Sequence, residues 1–269
     1  MRIPFFSRPK AKSERLIVAS GDGTHEIEVR RHPAARRYSL RVRETSRDVV
    51  LTMPTRGSFR QARAFAERNA AWIAARLKRL APIVAFADGN TIPLRGVPHR
   101  IVHRLNARGP VWCEAGEDGA ALLCVAGGAP HVARRVADFL KREAQSDLAA
   151  ACRRHAAALG VNIVTVSVRD TTSRWGSCSA TGTLSFSWRL VLAPAYVLDY
   201  LAAHEVAHCV ELNHSPRFWR AVDRLTPERK RAEAWLRFHG NELHRFGPRR
   251  SSAAAEQLVD EPVVEEAPA

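Results

Sequence analysis

Alternation of apolar and polar residues marks the first part of the chain. HEIEVRR (25–31), RRYSLRVR (36–43) and DVVLTMP (48–54) alternate or are β-branched, and turn residues separate them. That pattern predicts strands. The period then lengthens. Phe65, Trp72, Ile73, Leu77 and Leu80 recur at helical spacing, which predicts a helix from about Ser58 to Leu80. Ser58 and Gln61 are spaced as a capping box, and Pro82 follows the end. Residues 83–126 return to short strands with Gly and Pro turns, up to GGAP at 127–130. A long helix is expected from about His131 to Leu159, with Gly160 as its C-cap. NIVTVSVRD (162–170) and GTLSFSWRLVLAP (182–194) read as strands. In the second, Leu184, Phe186, Trp188, Leu190 and Leu192 share one face, opposite Ser185, Ser187, Arg189 and Val191, as in a half-buried antiparallel strand. Pro194 ends it and begins a helix; another runs from about Pro227 to Leu243. No internal repeat is visible.

These elements predict an α+β fold. A β-rich region with one helix spans 16–128, and a second domain with a small antiparallel sheet and a buried central helix spans 129–247. Residues 1–15 read as a basic disordered arm and 248–269 as a disordered acidic tail.

The 269 residues are 46% hydrophobic, enough for a core, and the formal net charge is +15. A basic surface favours acidic partners, so nucleic acid is a possible partner beside protein. The expected helix over 58–80 has Arg60, Arg63, Arg68, Lys78 and Arg79 off its apolar face, although such a charge run is most often a solvated face; Arg otherwise reads as spread along the chain. The five cysteines include no C-x-x-C pair, and no stretch of 18 apolar residues occurs. A reduced, cytoplasmic protein with no membrane span is the expectation.

The chemistry is concentrated in HEVAHCVELNH, 204–214. On a helix His204 and His208 share one face about 6 Å apart along the axis, a suitable bite for one zinc ion. Glu205 is rotated by about 100° and reaches a metal-bound water without taking a coordination position. The neighbours are apolar on almost every side, and buried imidazoles and a buried carboxylate cost several kcal/mol unless something satisfies them. The spacing favours His214 as third ligand, provided the helix stops first, with Asn213 as a left-handed terminator. The alternative is a downstream acid, from Asp223, Glu228 and Glu233, of which Glu233 is the best candidate. Trp175 and Arg189 are candidate substrate contacts. Cys178 is either a soft metal ligand or a packed thiol, Cys209 belongs to the core, and Asp199 or Glu211 could accept a hydrogen bond from a ligand imidazole.

RWGSCS (174–179), FSWRLVLAP (186–194), HEVAH (204–208) and NHSPRFW (213–219) together resemble the YgjP-type, SprT-like zincin metallopeptidase family. The resemblance runs from about residue 20 to 247 and is strongest over 170–240. It implies a zincin-like catalytic core, one zinc ion held by His204, His208 and His214, Glu205 as catalytic carboxylate, and a protein or peptide substrate. The family's usual Asn before the Trp of the strand motif is Ser187 here. Two other readings remain: a zinc hydrolase of phosphorylated small molecules of the nucleotide pyrophosphohydrolase type, and a nucleic-acid-associated protease.

Overall fold

The computed structural model describes residues 14–20, 23–44 and 46–247, so the expected arm (apart from Glu14 and Arg15) and the acidic tail lie outside the described residues. The chain divides into two compact units, 1–81 and 82–269. The expected boundary at 128 therefore falls inside the second unit.

The first unit holds strands β1 (Glu14–Ser20), β2 (Gly23–His32), β3 (Ser39–Val42) and β4 (Val49–Pro54) in the order β1-β2-β4-β3. Leu16, Val18, Ile27, Val29, Leu51 and Met53 alternate onto one face, as the sequence pattern requires. Helices α1 (Phe59–Arg68) and α2 (Ala70–Lys78) cover that face with Ala62, Ala66 and Ile73. The single expected helix is thus broken at Asn69, which leaves helical geometry and donates its side-chain amide to the Phe65 carbonyl at 2.7 Å. A side chain that bonds its own backbone in this way competes with the helix ladder. The expected capping box is not formed: Ser58 makes no side-chain cap, and Gln61 accepts from the Tyr38 hydroxyl.

The second unit opens with β5 (Thr91–Leu94), β6 (Val97–Arg104), β7 (Val111–Ala115) and β8 (Ala121–Ala126), ordered β5-β6-β8-β7. Order and pairing repeat those of the first sheet: an antiparallel hairpin, a parallel central pair, then an antiparallel edge. The chain therefore contains a topological repeat that its residues do not display. Helix α3 (Val132–Leu159) follows, and Val132, Val136, Leu140, Ala144, Leu148 and Cys152 repeat every four residues on its buried stripe. Gly160, at φ 68°, ends it in the left-handed conformation that glycine adopts without strain. GGAP is thus the crossover into a helix that shares its core with the preceding sheet, not a domain boundary.

A small sheet positions the chemistry. It is mixed, not antiparallel: β9 (Thr165–Arg169) pairs parallel with β11 (Thr183–Ser187), and β10 (Gly176–Cys178) pairs antiparallel on its other side, leaving β10 at an edge. The expected strand over 182–194 ends at Ser187, and Trp188–Leu192 form a 3-10 turn. The Val191 and Leu192 carbonyls accept from Arg95 and Gly96 at the tip of the β5–β6 hairpin, which takes these residues out of the sheet. Helix α4 (Ala195–Ala207) follows, then α5 (Pro216–Leu225), capped by the Ser215 hydroxyl, then α6 (Arg229–His239). The expected last helix gives way at Gly240 to a 3-10 turn through Arg245. Among the described residues no helix is long and apolar enough to cross a membrane.

Candidate metal centre

Helix α4 is apolar around nearly its whole circumference, with Val197, Leu198, Ala202, Ala203, Val206 and Ala207 all buried. Such a helix belongs in a core. His204 and Glu205 are carried there by the fold, not by their own preference. The helix ends at Ala207 with His208 as cap, earlier than expected, and Cys209, Val210 and Glu211 donate back to carbonyls of its last turn. Asn213 is not the terminator: among the described residues only Arg47 and Arg95 are non-glycines with positive φ. The early stop lets the chain fold back and brings His214 over the helix.

His204, His208 and His214 form a cluster whose ligand atoms all lie within 4.8 Å of one another. The Nε2 atoms of His204 and His214 are 3.2 Å apart. Zinc–nitrogen bonds of about 2.0–2.1 Å in tetrahedral geometry set two ligand nitrogens roughly 3.3 Å apart, so the spacing suits the ion. The donor set fits as well. Burial, helped by the neighbouring imidazoles, pushes His204 down to about 3, and burial also lowers His208, so both rings are neutral and able to ligate at neutral pH. His208 Nδ1 donates to the Glu211 carbonyl at 3.1 Å, which leaves Nε2 bare. His204 Nδ1 lies 3.5 Å from the Tyr200 hydroxyl, which in turn donates to Glu233 at 3.0 Å.

The acid alternatives to His214 are thereby accounted for. Glu233 holds Tyr200, Asp223 pairs with Arg229, and Glu228 pairs with Arg231. Asp199 is occupied by Arg154 and His155 and supports no cluster histidine; Glu211 supports one through its main chain. Among the described residues no fourth His, Cys, Asp or Glu joins the three, so a coordination position remains for water or substrate. Cys178 stays outside. Its Sγ is 3.9 Å from that of Cys209, and burial pushes its thiol up to about 12, which keeps it protonated.

Glu205 is 5% exposed, and burial pushes its carboxyl up to about 8 against the opposing charge of Arg174. Its position is set by Gly176. A Cβ there would overlap Glu205 Oε1 and sit 2.7 Å from its Cγ and Cδ. The glycine of RWGSCS is therefore the gap through which β10 approaches the carboxylate.

Phe218 and Trp219, which follow the third histidine and are expected from the sequence to pack the helix that supports the site, lie against the cluster itself. Phe218, fully buried on α5, sets its ring 4.9, 4.5 and 4.7 Å from the rings of His204, His208 and His214. Trp219 stacks on His214 at 5.6 Å, and Arg229 lies over the Trp219 ring. A phenyl ring touching all three imidazoles fixes their rotamers by packing. Phe218→Ala is expected to weaken zinc binding about 10- to 100-fold, as loss of supporting contacts commonly does. Competition with a chromophoric chelator measures it.

The two candidate substrate contacts are placed differently from expectation. Arg189 is 2% exposed, donates to Asp170 at 3.0 Å and to the Leu243 and Phe246 carbonyls at 3.1 and 2.6 Å, and so ties the 3-10 turn to the C-terminal segment. It does not face a substrate. Removing one partner of such a buried ionic set costs about 3–5 kcal/mol. Arg189→Met should show that loss in urea unfolding with KM unchanged; an altered KM without destabilisation would restore the substrate role. Trp175 is half-buried and stacks on His244 at 5.1 Å, and its carbonyl accepts from Ser187. Packing occupies its ring, next to Gly176.

The sequence matches the family model described as YgjP-like, metallopeptidase domain, over residues 36–239. No curated protein matches the chain. Among solved structures, the metallopeptidase zymogen of Pyrococcus abyssi abylysin is similar at 24% identity and a TM-score of 0.31, covering 35% of this chain and 92% of that one.

Proposed function

The chain belongs to the YgjP-like metallopeptidase family, and from that premise we propose that it is a zinc-dependent endopeptidase holding one zinc ion on His204, His208 and His214. The observation that carries this reading is the cluster itself: three imidazoles whose ligand atoms lie within 4.8 Å of one another, no fourth protein ligand among the described residues, and a buried carboxylate one residue from a ligand.

A bound zinc ion supplies Lewis-acid activation of water and of the scissile carbonyl. The chain does the rest. Glu205 lies off the ligand face and accepts the proton of the attacking water at a carboxylate oxygen. It then carries that proton to the departing amide nitrogen. Tyr200 and the Glu211 carbonyl hold two of the imidazoles in the required tautomer.

The β10 edge can receive an extended substrate. Ser187 N–H donates to Trp175 O and Ser179 N–H to Thr183 O, which makes 175/187, 177/185 and 179/183 the hydrogen-bonded pairs. Gly176 and Cys178 therefore turn their main-chain groups away from β11, toward the open edge, where a peptide can add as a further strand. The test is hydrolysis by zinc-loaded protein of an unfolded polypeptide and, in parallel, of a nucleotide panel. Internal cleavage of the polypeptide supports the reading; pyrophosphate cleavage alone would replace it with the phosphohydrolase alternative.

One observation favours an additional nucleic-acid partner. Residues 1–81 contain 19 of the 42 Lys and Arg and only 7 of the 27 Asp and Glu, so the charge is concentrated in the first unit, not spread along the chain. Arg56, Arg60 and Arg63 are exposed at the start of α1 and along it. Phosphate contacts release counterions, so binding to a DNA or RNA duplex should weaken about 10³-fold or more between 50 and 200 mM salt if some six contacts form. No binding at low salt would remove this partner.

A further inference from the structure

The face of the small sheet opposite its apolar side is lined with hydroxyls. Register places Ser177, Ser185 and Ser167 side by side, with Thr183 beside Thr165, while Val166, Val168, Leu184 and Phe186 point the other way into the core. Over the hydroxyl face lies a groove of about 260 Å³ lined by Arg169, Arg174, Thr171, Ser177, Thr183 and Ser185, with no carboxylate in its wall. Both arginines are exposed, and neither pairs with a described carboxylate; the neighbouring Asp170 is engaged by Arg189. Two unpaired guanidinium groups above a floor of hydroxyls form a binding site for a carboxylate.

The groove adjoins the catalytic machinery. Gly176 and Cys178 border it, and the charge of Arg174 is felt at Glu205. A peptide strand laid along β10 points successive side chains to opposite faces of the sheet. Those level with Gly176 and Cys178 face the Glu205 side, and the one level with Ser177 faces the groove.

We propose that Arg169 and Arg174 are specificity-determining residues that select an Asp or Glu side chain at the substrate position facing Ser177. This rests on the peptidase reading above and adds a substrate class to it: extended segments with an acidic residue beside the scissile bond.

The test uses the zinc-loaded full chain and a series of C-terminally amidated, quenched fluorescent peptides that differ at one residue, Glu, Gln or Lys, scanned across the cleavage site. At one position kcat/KM should favour Glu over Gln by roughly fivefold, the scale of a partly exposed ion pair. Arg169→Glu with Arg174→Glu should reverse the order, so that the Lys peptide is cleaved fastest. Equal rates for Glu, Gln and Lys at every position overturn the proposal while leaving the peptidase reading intact. If the amidated series shows no preference and one appears only when the same peptides are remade as free acids, the groove belongs to a chain terminus and the proposal is also overturned. If no peptide is hydrolysed, the peptidase reading fails separately. Fluorescence anisotropy of the same peptides on Glu205→Gln protein then decides the groove: preference for Glu that is lost on charge reversal supports it, and indifferent binding rejects it.

Discussion

Glu205→Gln retains one zinc ion per chain and loses peptide hydrolysis by about a hundred- to ten-thousandfold, the range that a positioned general acid–base supplies. The substitution is nearly isosteric and the three ligands are other residues, so the metal cluster keeps its geometry. The amide can neither accept a proton from water nor return it to an amine. It also relieves a cost, because burial disfavours the ionised carboxyl that it replaces. Metal-free Glu205→Gln is therefore expected to be no less stable than metal-free wild type. Metal content by elemental analysis, kcat and thermal unfolding check the three parts. Loss of zinc together with activity would place Glu205 in the coordination sphere.

Gly176→Ala lowers kcat by about a hundredfold, the loss that follows when a catalytic group is misplaced by about 1 Å. The added methyl would overlap Glu205 Oε1 and lie 2.7 Å from Cγ and Cδ. The obstacle is not the free end of a surface chain: Glu205 is buried, and β10 is held on one side by β11. Either the carboxylate turns from the water site or the edge strand retreats from it. Zinc content is expected to be unchanged because Gly176 is not in the histidine cluster. Unimpaired kcat in a folded, zinc-loaded variant would show that Glu205 does not work from its place against β10.

The two residue positions also show what the sequence could reveal. HEVAH on an apolar helix is legible because both the four-residue spacing and the burial are local properties of α4, and α3 is legible for the same reason. His214 was placed by spacing, but the turn that returns it comes from the helix ending at Ala207, not from a left-handed Asn213. Phe218 is legible as a packing residue after the third histidine, but its contact with three imidazoles exists only once α5 packs on α4. Arg189 misled because alternation assigns a polar residue to solvent. All of Trp188–Leu192 are buried, and the partners that permit a buried guanidinium include carbonyls 54 and 57 residues downstream. β10 has three residues, none strongly strand-forming, and is defined by its pairing with β11. The repeated sheet order is equally invisible, since strand order depends on pairing and not on composition.

The most direct test is zinc add-back. Wild-type protein is stripped with a chelator, titrated with zinc, and assayed on an unfolded polypeptide at each step. Hydrolysis that rises from background and saturates at one equivalent per chain, with no recovery in His204→Ala or His214→Ala at that equivalent, is the expected result. Full hydrolysis by the stripped protein, or saturation with His214→Ala indistinguishable from wild type, would contradict a peptidase centre built on these three histidines.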